Sequence, residues 1–306
     1  MSEITASVVL YKTPESQLTR LLDCIARSSV QVNTYLIDNS PAPIDLPCFR
    51  VPDIIYIRAK ANKGYGAGHN IALRAILDSS EFHFVLNPDI YFEPTELGKM
   101  IQFMRQDSAI GQLMPRVIYP DGSLQYLCKL LPTPADLFFR RFSFGLLKNF
   151  ALRRNERYEL RHTNYDQVMD IPNLSGCFML LRTAALRRVG LFDERFFMYL
   201  EDFDLTRRVH AEFRTVFFPG ATVLHDHARA SYRSAQALWT HTRSAVRYFN
   251  KWGWLSDSQR SKFNREALGR IEQPMNGHAA PIHTPRLLAE KINGICEQVE
   301  KDTAES

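Results

Sequence analysis

The stretch of this chain with the densest chemistry is Phe192-Asp193-Glu194-Arg195-Phe196-Phe197-Met198-Tyr199-Leu200-Glu201-Asp202-Phe203-Asp204-Leu205. Three of its acids fall within four residues. Asp204 has Arg207 and Arg208 three and four positions on, the spacing of an ion pair along one helix face. Glu201 and Asp202 have no such partner. Carboxylates crowded together raise one another's pKa, which suits a general base that draws a proton from a hydroxyl. Asn87-Pro88-Asp89 is a second signal. Pro88 fixes the backbone so that Asp89 projects from a rigid turn. A lone carboxylate there suits Mg2+ or Mn2+, which keeps most of its coordination for water and a diphosphate; an ordinary proline turn is the plainer reading. His225-Asp226-His227 offers an imidazole to complete such a site with Asp89, against the alternative of solvated loop histidines.

A third cluster is Asn62-Lys63-Gly64-Tyr65-Gly66-Ala67-Gly68-His69-Asn70. Alternating glycines ahead of a helix permit close backbone approach to a phosphate and aim a helix N-terminus at it. The spacing is GxGxG, not the GxGxxG of dinucleotide binding, and no Lys-Ser/Thr closes a Walker loop. A tight turn without a ligand remains the alternative.

These groups need elements to hold them. Thr5–Tyr11, Asn33–Asp38, Asp53–Arg58 and Glu81–Leu86 read as strands, separated by a helix from Pro14 to Arg27 and another from about Gly68 to Leu77. Strands and helices alternating at this spacing predict an α/β fold with a mostly parallel sheet. In such sheets ligands lie beyond the carboxyl ends of the strands. Asp38-Asn39, Asn62–Asn70 and Asp89 all fall at such ends. Farther on, Ile110–Tyr119, Cys177–Leu181 and Thr215–Phe218 read as strands, with helices at Thr183–Arg188 and from about Met198 to Ala211. The segment from Leu130 to Gln167 has no clear period. Two parts are expected, 1–230 holding the sheet and 231–306 a helical extension ending in a polar tail.

At 306 residues, 45% hydrophobic and 23% charged, the composition is that of an ordinary globular protein. No run reaches the roughly 18–20 apolar residues of a membrane span, and the N-terminus has no signal-peptide pattern, so a cytoplasmic location is expected. The five cysteines form no CxxC pair, which argues against a zinc cluster or disulfide framework. The net charge of +5 conceals two basic segments. Between Lys129 and Arg161 eight basic residues face three acids, and Ala228–Ser256 holds five basic residues and no acid. Phe138, Phe139, Phe142, Phe144 and Phe150 interleave with the first set, and Trp239, Tyr248, Phe249, Trp252 and Trp254 lie with or beside the second. Such stretches suit an anionic membrane leaflet, or else pack inward with the arginines in water. Nucleic acid is a poorer partner, because no recognised binding module is present.

Taken in order, these pieces resemble the family 2 glycosyltransferases of GT-A fold, in particular the rhamnosyltransferase-like branch. The matching elements are Val8-Val9-Leu10-Tyr11, Asp38-Asn39-Ser40, Asn62–Asn70, Asn87-Pro88-Asp89, Pro115-Arg116 with Asp121-Gly122, Ser175-Gly176-Cys177 with Leu181-Arg182, Phe192–Asp204 and His225. The resemblance implies an inverting enzyme using a nucleotide-sugar donor. Asp38 and Asn39 would meet the nucleotide, with Asn62, Gly64, Gly66 and Gly68 along it and Asn70 nearby. Asp89 would hold a Mg2+ or Mn2+ ion, with Asn87 standing where the family's first aspartate is found and His225 approaching the same ion. Asp202, beside Glu201, would be the base. The branch implies dTDP-L-rhamnose, with UDP-hexoses and a galactofuranose donor as alternatives, and a glycan or polyprenyl-diphosphate-linked acceptor at the inner membrane surface. Two other classes stay open. An NAD-dependent oxidoreductase would use the Gly-rich segment but leaves Asn87–Asp89 and Glu201–Asp202 unexplained. A non-catalytic scaffold homologue would bind nucleotide sugar without turnover.

Overall fold

The computed structural model describes residues 3–44, 53–141, 148–226 and 235–272. Its first half is β1 (Glu3–Leu10), α1 (Glu15–Ala26), β2 (Asn33–Asp38), β3 (Ile54–Arg58), α2 (Tyr65–Ile76), β4 (Ser80–Leu86), β5 (Ile90–Phe92), α3 (Glu96–Gln106) and β6 (Ile110–Ile118). Then follow β7 (Cys128–Lys129), α4 (Pro134–Arg141), α5 (Lys148–Tyr158), β8 (Met169–Asp170), β9 (Asn173–Leu174), β10 (Phe178–Arg182), α6 (Thr183–Val189), α7 (Glu201–Glu212), β11 (Arg214–His225), α8 (Ala235–Trp252) and α9 (Ser258–Glu272).

The main sheet runs β3-β2-β1-β4-β10-β6-β11-β5, with β8 on β11. β1 pairs in parallel with β2 and β4, β2 with β3, and β6 with β11, while β10 runs antiparallel between β4 and β6. Six strands therefore point one way. Leu10, Asp38, Arg58, Leu86, Ile118 and His225 end on one rim, where the reversed β10 begins. Helices cover both faces, so the central strands are buried on both sides. Phe82, Phe84 and Leu86 of β4 face the layer of α1 and α3, and Val85 faces that of α2, α6 and α7, the two-residue period of a strand. In α1, Leu18, Leu21, Leu22 and Ile25 are buried at helical spacing.

Three boundaries near the site differ from those the sequence predicts. α7 starts at Glu201 rather than near Met198, because Tyr199 and Leu200 take positive φ. α2 starts at Tyr65 rather than near Gly68, because Gly64 takes φ +102° as its N-cap and Gly66 and Gly68 lie within the helix. β11 continues through Pro219-Gly220 to His225, with a register shift between Phe218 and Thr222 that accommodates the proline.

α8 and α9 brace the start of α7. Tyr248 and Phe249 pack with Phe196, Leu200 and Phe203. Ser244 Oγ donates to Met198 O at 2.8 Å. Buried Arg207 makes two hydrogen bonds of 2.7 Å to Asp257 and stacks 4.1 Å from the Trp252 ring centroid. The later basic segment is thus divided: Tyr248 and Phe249 are core, while Trp239 and Trp254 are exposed. Phe138 and Phe150, in α4 and α5, are exposed as well. No described helix is long and apolar enough to cross a membrane. Phe142, Phe144, Arg229, Arg233, His227 and the tail beyond Glu272 lie outside the described residues.

Candidate active site

Asp89 and His225 meet at the rim although 136 positions separate them, because β5, just after Asp89, pairs with the end of β11. His225 Nε2 lies 3.2 Å from Asp89 Oδ1, and both side chains are largely buried. Asp226 N donates to Asp89 O at 2.9 Å, fixing the two segments together. On the far side of the ring, His225 Nδ1 is 3.0 Å from Gln125 Oε1, and Gln125 Nε2 donates to His225 O at 2.8 Å. Gln125 accepts the Nδ1 proton and thereby turns Nε2 toward Asp89, as outer partners of metal-binding histidines do. Burial would lower the His225 pKa, but Cys177 and Asp89, through charge and hydrogen bonding, push it up to about 10.

These residues fit a divalent ion. Asp89 Oδ1 is sequestered without a well-directed hydrogen bond, and its near neighbour is a ring nitrogen of fixed orientation. No group of three His, Cys, Asp or Glu is gathered as a metal cage among the described residues. The protein would supply two ligands and leave the rest to water and diphosphate, the habit of Mg2+ and Mn2+ in substrate-bridged sites.

Asp202 is tied through Gly176 and Tyr65 to Asn87, two residues before Asp89. Gly176 N donates to Asp202 Oδ2 at 2.8 Å. The Tyr65 hydroxyl sits 2.7 Å from Gly176 O and 3.0 Å from Asn87 Oδ1, so its one proton is shared between them. Burial, reinforced by Cys177, Glu201, Asp202 and Asp89, raises the Tyr65 pKa far above its usual value and keeps it a neutral donor. A Cβ on Gly176 would stand 2.9 Å from Asp202 Cβ, so only glycine admits the carboxylate this closely. Asn87 Nδ2 is 3.4 Å from His225 Nε2, at the limit of hydrogen-bonding distance.

Glu201 and Asp202 open α7 behind Tyr199 and Leu200, which both take positive φ, +70° and +66°. Two consecutive non-glycine residues in that region are a strained entry, of the sort that clusters at functional sites. Burial raises both carboxyl pKa values. Glu201 lies well above its usual value, with Asp202 adding to the effect. For Asp202 the rise is opposed by N–H donors at Gly176 and Phe203 and by nearby Lys129. Glu201 Oε2 has no hydrogen-bond partner. The environments differ: Gly176 N, Phe203 N and Lys129 favour the charged form of Asp202, while burial and Asp202 disfavour that of Glu201. Asp204 is occupied elsewhere, paired with Arg208 at 2.9 Å and Lys251 at 2.7 Å.

The remaining sequence candidates are built into the fold. Asp38 is fully buried. It accepts from Ser40 N at 2.8 Å, Ile44 N at 3.1 Å and Tyr56 Oη at 2.6 Å. Burial would raise its pKa, but these donors hold it below the usual carboxylate value. Asn39 Nδ2 donates to Gly64 O at 3.3 Å, and Asn62 Oδ1 accepts from Gly64 N at 3.0 Å. Asn70 brackets the Phe192–Glu194 segment, bonding Phe192 N, Phe192 O and Glu194 Oε1 at 2.9–3.0 Å.

The Cα atoms of the Gly-rich segment face protein. Added Cβ atoms would meet Phe197 O at Gly64 (1.8 Å), Phe192 Cβ at Gly66 (2.9 Å) and Val9 Cγ2 at Gly68 (2.7 Å). The bare Cα atoms admit protein. His69 is core too, with Nδ1 2.7 Å from Ser7 Oγ, which also lies 2.7 Å from His83 Nε2. The sequence reading gave no role to Tyr65, Gln125 or Gly176. Gly176 carried a signal in Ser175-Gly176-Cys177, and Gln125 carried none.

Residues 32–190 match the family model described as glycosyl transferase family 2. The chain is 27% identical over 259 residues to N-acetylglucosaminyl-diphospho-decaprenol L-rhamnosyltransferase of Mycobacterium tuberculosis, covering 80% of this chain and 83% of that one. It is 28% identical over 194 residues to rhamnosyltransferase WbbL of Escherichia coli, covering 60% and 69%. Its fold is similar to that of GalNAc-T7 in a crystal structure with UDP, GalNAc and Mn2+, at TM-score 0.59 and 12% identity. That likeness covers 95% of this chain and 54% of the other.

Proposed function

Because the chain belongs to glycosyl transferase family 2 and has the GT-A fold, we propose that it is an inverting enzyme whose base is Asp202. The observation that carries this reading is the linkage of Asp202, through Gly176 and Tyr65, to Asn87, two residues before the Asp89 that meets His225. The donor is a nucleotide sugar, with dTDP-L-rhamnose favoured by the similarity to two rhamnosyltransferases. The acceptor is a hydroxyl of a glycan carried on a polyprenyl diphosphate, as the name of the mycobacterial relative suggests. Exposed Trp239, Phe138 and Phe150 suit peripheral contact with the membrane that carries such an acceptor.

Asp89 and His225 would hold the Mg2+ or Mn2+ ion. When bound, such an ion neutralises charge on a departing nucleoside diphosphate. Asp202 takes the proton of the acceptor hydroxyl as that oxygen bonds to the anomeric carbon. The bond from that carbon to the diphosphate oxygen breaks on the opposite face, so configuration inverts. One ionised carboxylate suffices, whereas glycosidases need a second to act as an acid. The burial that raises the Glu201 pKa, and the donors around Asp202, favour Asp202 as the charged member of the pair. On the donor side, Asp38 and Asn39 shape the wall next to the nucleotide by ordering the turn after β2, and the exposed Asn62–Lys63 turn lies along it.

The reading is tested by melting temperature against dTDP, UDP and their sugars, with and without Mn2+. A ligand at a hundred times its Kd stabilises by about 2.7 kcal/mol. The expected result is a metal-dependent rise that Asp89→Ala abolishes, together with slow metal-dependent donor hydrolysis. A rise with NAD alone would refute it. Nucleotide binding with no transfer or hydrolysis would favour the scaffold reading.

A further inference from the structure

A cavity of about 1010 Å3 lies on the β6 and β11 side of the candidate site. That is near the top of the roughly 300–1,000 Å3 range of ligand pockets and leaves room for more than one sugar ring. The sheet order puts it across β4 from β2 and β3, where the donor-side residues lie. Two of its walls are shared with the site. Gln125 lines the cavity and holds the His225 ring. His241 of α8 lines it too and packs 5.4 Å from the Tyr199 ring, three residues before Asp202. An occupant would lie against both the Asp89–His225 pair and the entry to α7.

The lining chemistry selects the occupant. Two carboxylates, Glu156 and Glu159, face one guanidinium, Arg161, which is bonded to Glu159 at 2.6 Å and stacked 4.6 Å from the Tyr126 ring centroid. Among the described lining residues, the one guanidinium is thus already neutralised by a carboxylate. Asn155 Oδ1 is buried and has no hydrogen-bond partner, and Glu156 is exposed on the same helix. These oxygens accept hydrogen bonds and need donors. Sugar hydroxyls supply donors, and an ionised diphosphate has none. Half-buried Tyr126 adds an aromatic ring with a polar tip. We infer that this cavity binds the neutral saccharide part of the acceptor, with Asn155 and Glu156 accepting from its hydroxyls, and excludes the diphosphate. The inference rests on the glycosyltransferase reading above for the word acceptor, but the binding itself is independent of turnover.

The test is saturation-transfer NMR on the full chain without nucleotide. The probes are methyl glycosides of neutral hexoses, deoxyhexoses and N-acetylhexosamines, with inorganic diphosphate as competitor. At least one glycoside is expected to bind. Its affinity should fall about fivefold in both Asn155→Ala and Glu156→Gln, the scale of one lost hydrogen bond. Inorganic diphosphate should not displace it. Glu156→Gln alters an exposed side chain, so its fold is retained if Asn155→Ala is damaged. The inference is overturned if no glycoside binds, if both folded variants bind as the wild type does, or if diphosphate competes. Loss of nucleotide-sugar binding in the melting experiment would strike the donor reading and leave this result standing.

Discussion

Asp38 and Asn70 sit at one end of the rim and Asp89 and Glu201 at the other, all in motifs of similar appearance, yet their polar atoms are treated in opposite ways. Asp38 accepts from three donors, and Asn70 uses both ends of its amide on Phe192 and Glu194. Asp89 Oδ1 and Glu201 Oε2 are buried without a well-made hydrogen bond. Native proteins satisfy nearly all buried polar groups, and each exception asks for a reason. On the donor side the motif residues build the walls. Toward β10 and β11 these two carboxylate oxygens keep acceptor capacity that the surrounding protein does not use. Motif membership alone does not separate these roles, and the hydrogen-bond accounts do.

The comparison is broken most directly at Asp202. Asp202→Asn keeps the side-chain oxygen that Gly176 N can reach but removes the base. Transfer should fall by roughly 10^2–10^4, the usual worth of general-base catalysis, with little loss of melting temperature. Initial-rate assays with donor and acceptor, beside a melting curve, check both halves. Near-normal turnover would remove Asp202 from the chemistry.

Asn70→Ala should behave in the opposite way. It strips partners from Phe192 N and Phe192 O in a buried bracket, a loss of about 1–3 kcal/mol, while KM for the donor stays within about twofold. Chemical denaturation and donor kinetics on the same preparation decide it. Unchanged stability with a raised KM would return Asn70 to the nucleotide site that its position in the sequence suggested.

The two regions also differ in how far the sequence discloses them. β1, β2, β3 and β4 fall within one or two residues of their hydrophobic runs, and β2 matches Asn33–Asp38 at both ends. β1 and β4 are short apolar segments buried on both faces, and the edge strand β3 is legible from its apolar run although it is only half-buried. In the second half the local signals compete. Pro219-Gly220 reads as the end of a strand, yet β11 carries on to His225 because a bulge absorbs the proline. The first half has one such conflict: the glycines of Gly64–Gly68 read as a ligand loop, yet they pack against Val9, Phe192 and Phe197. α3 was legible from Leu97, Met100, Ile101 and Met104, whose spacing is helical, but the sequence reading passed over it. Gln125 was not legible at all, because its only distinction is a partner 100 positions away. The sequence offers Asp89, Asp202 and His225 as candidates, and the fold places Asp89 beside His225. What no spacing discloses is that Gly176 and Tyr65 tie Asp202 to Asn87.

The finest distinction lies within the Glu201–Asp202 pair, and pH separates its members. The Glu201 pKa is well above its unfolded value of 4.5, raised by burial and by Asp202. Below the unfolded value the carboxyl is protonated in both states and has no effect on stability relative to an amide. As pH rises, the unfolded chain releases its proton first, so folding stability falls with a limiting slope of about 1.4 kcal/mol per pH unit until the folded carboxyl also ionises. Glu201→Gln has no such proton. Its melting temperature should match the wild type near about pH 4 and exceed it by a margin that widens toward neutral pH. Calorimetry on both proteins across that range reads the margin. A constant difference would mean that Glu201 ionises in the folded protein much as it does in the unfolded chain. Asp202 would then not be the single negative charge of the site, and two carboxylates would share the work assigned to one.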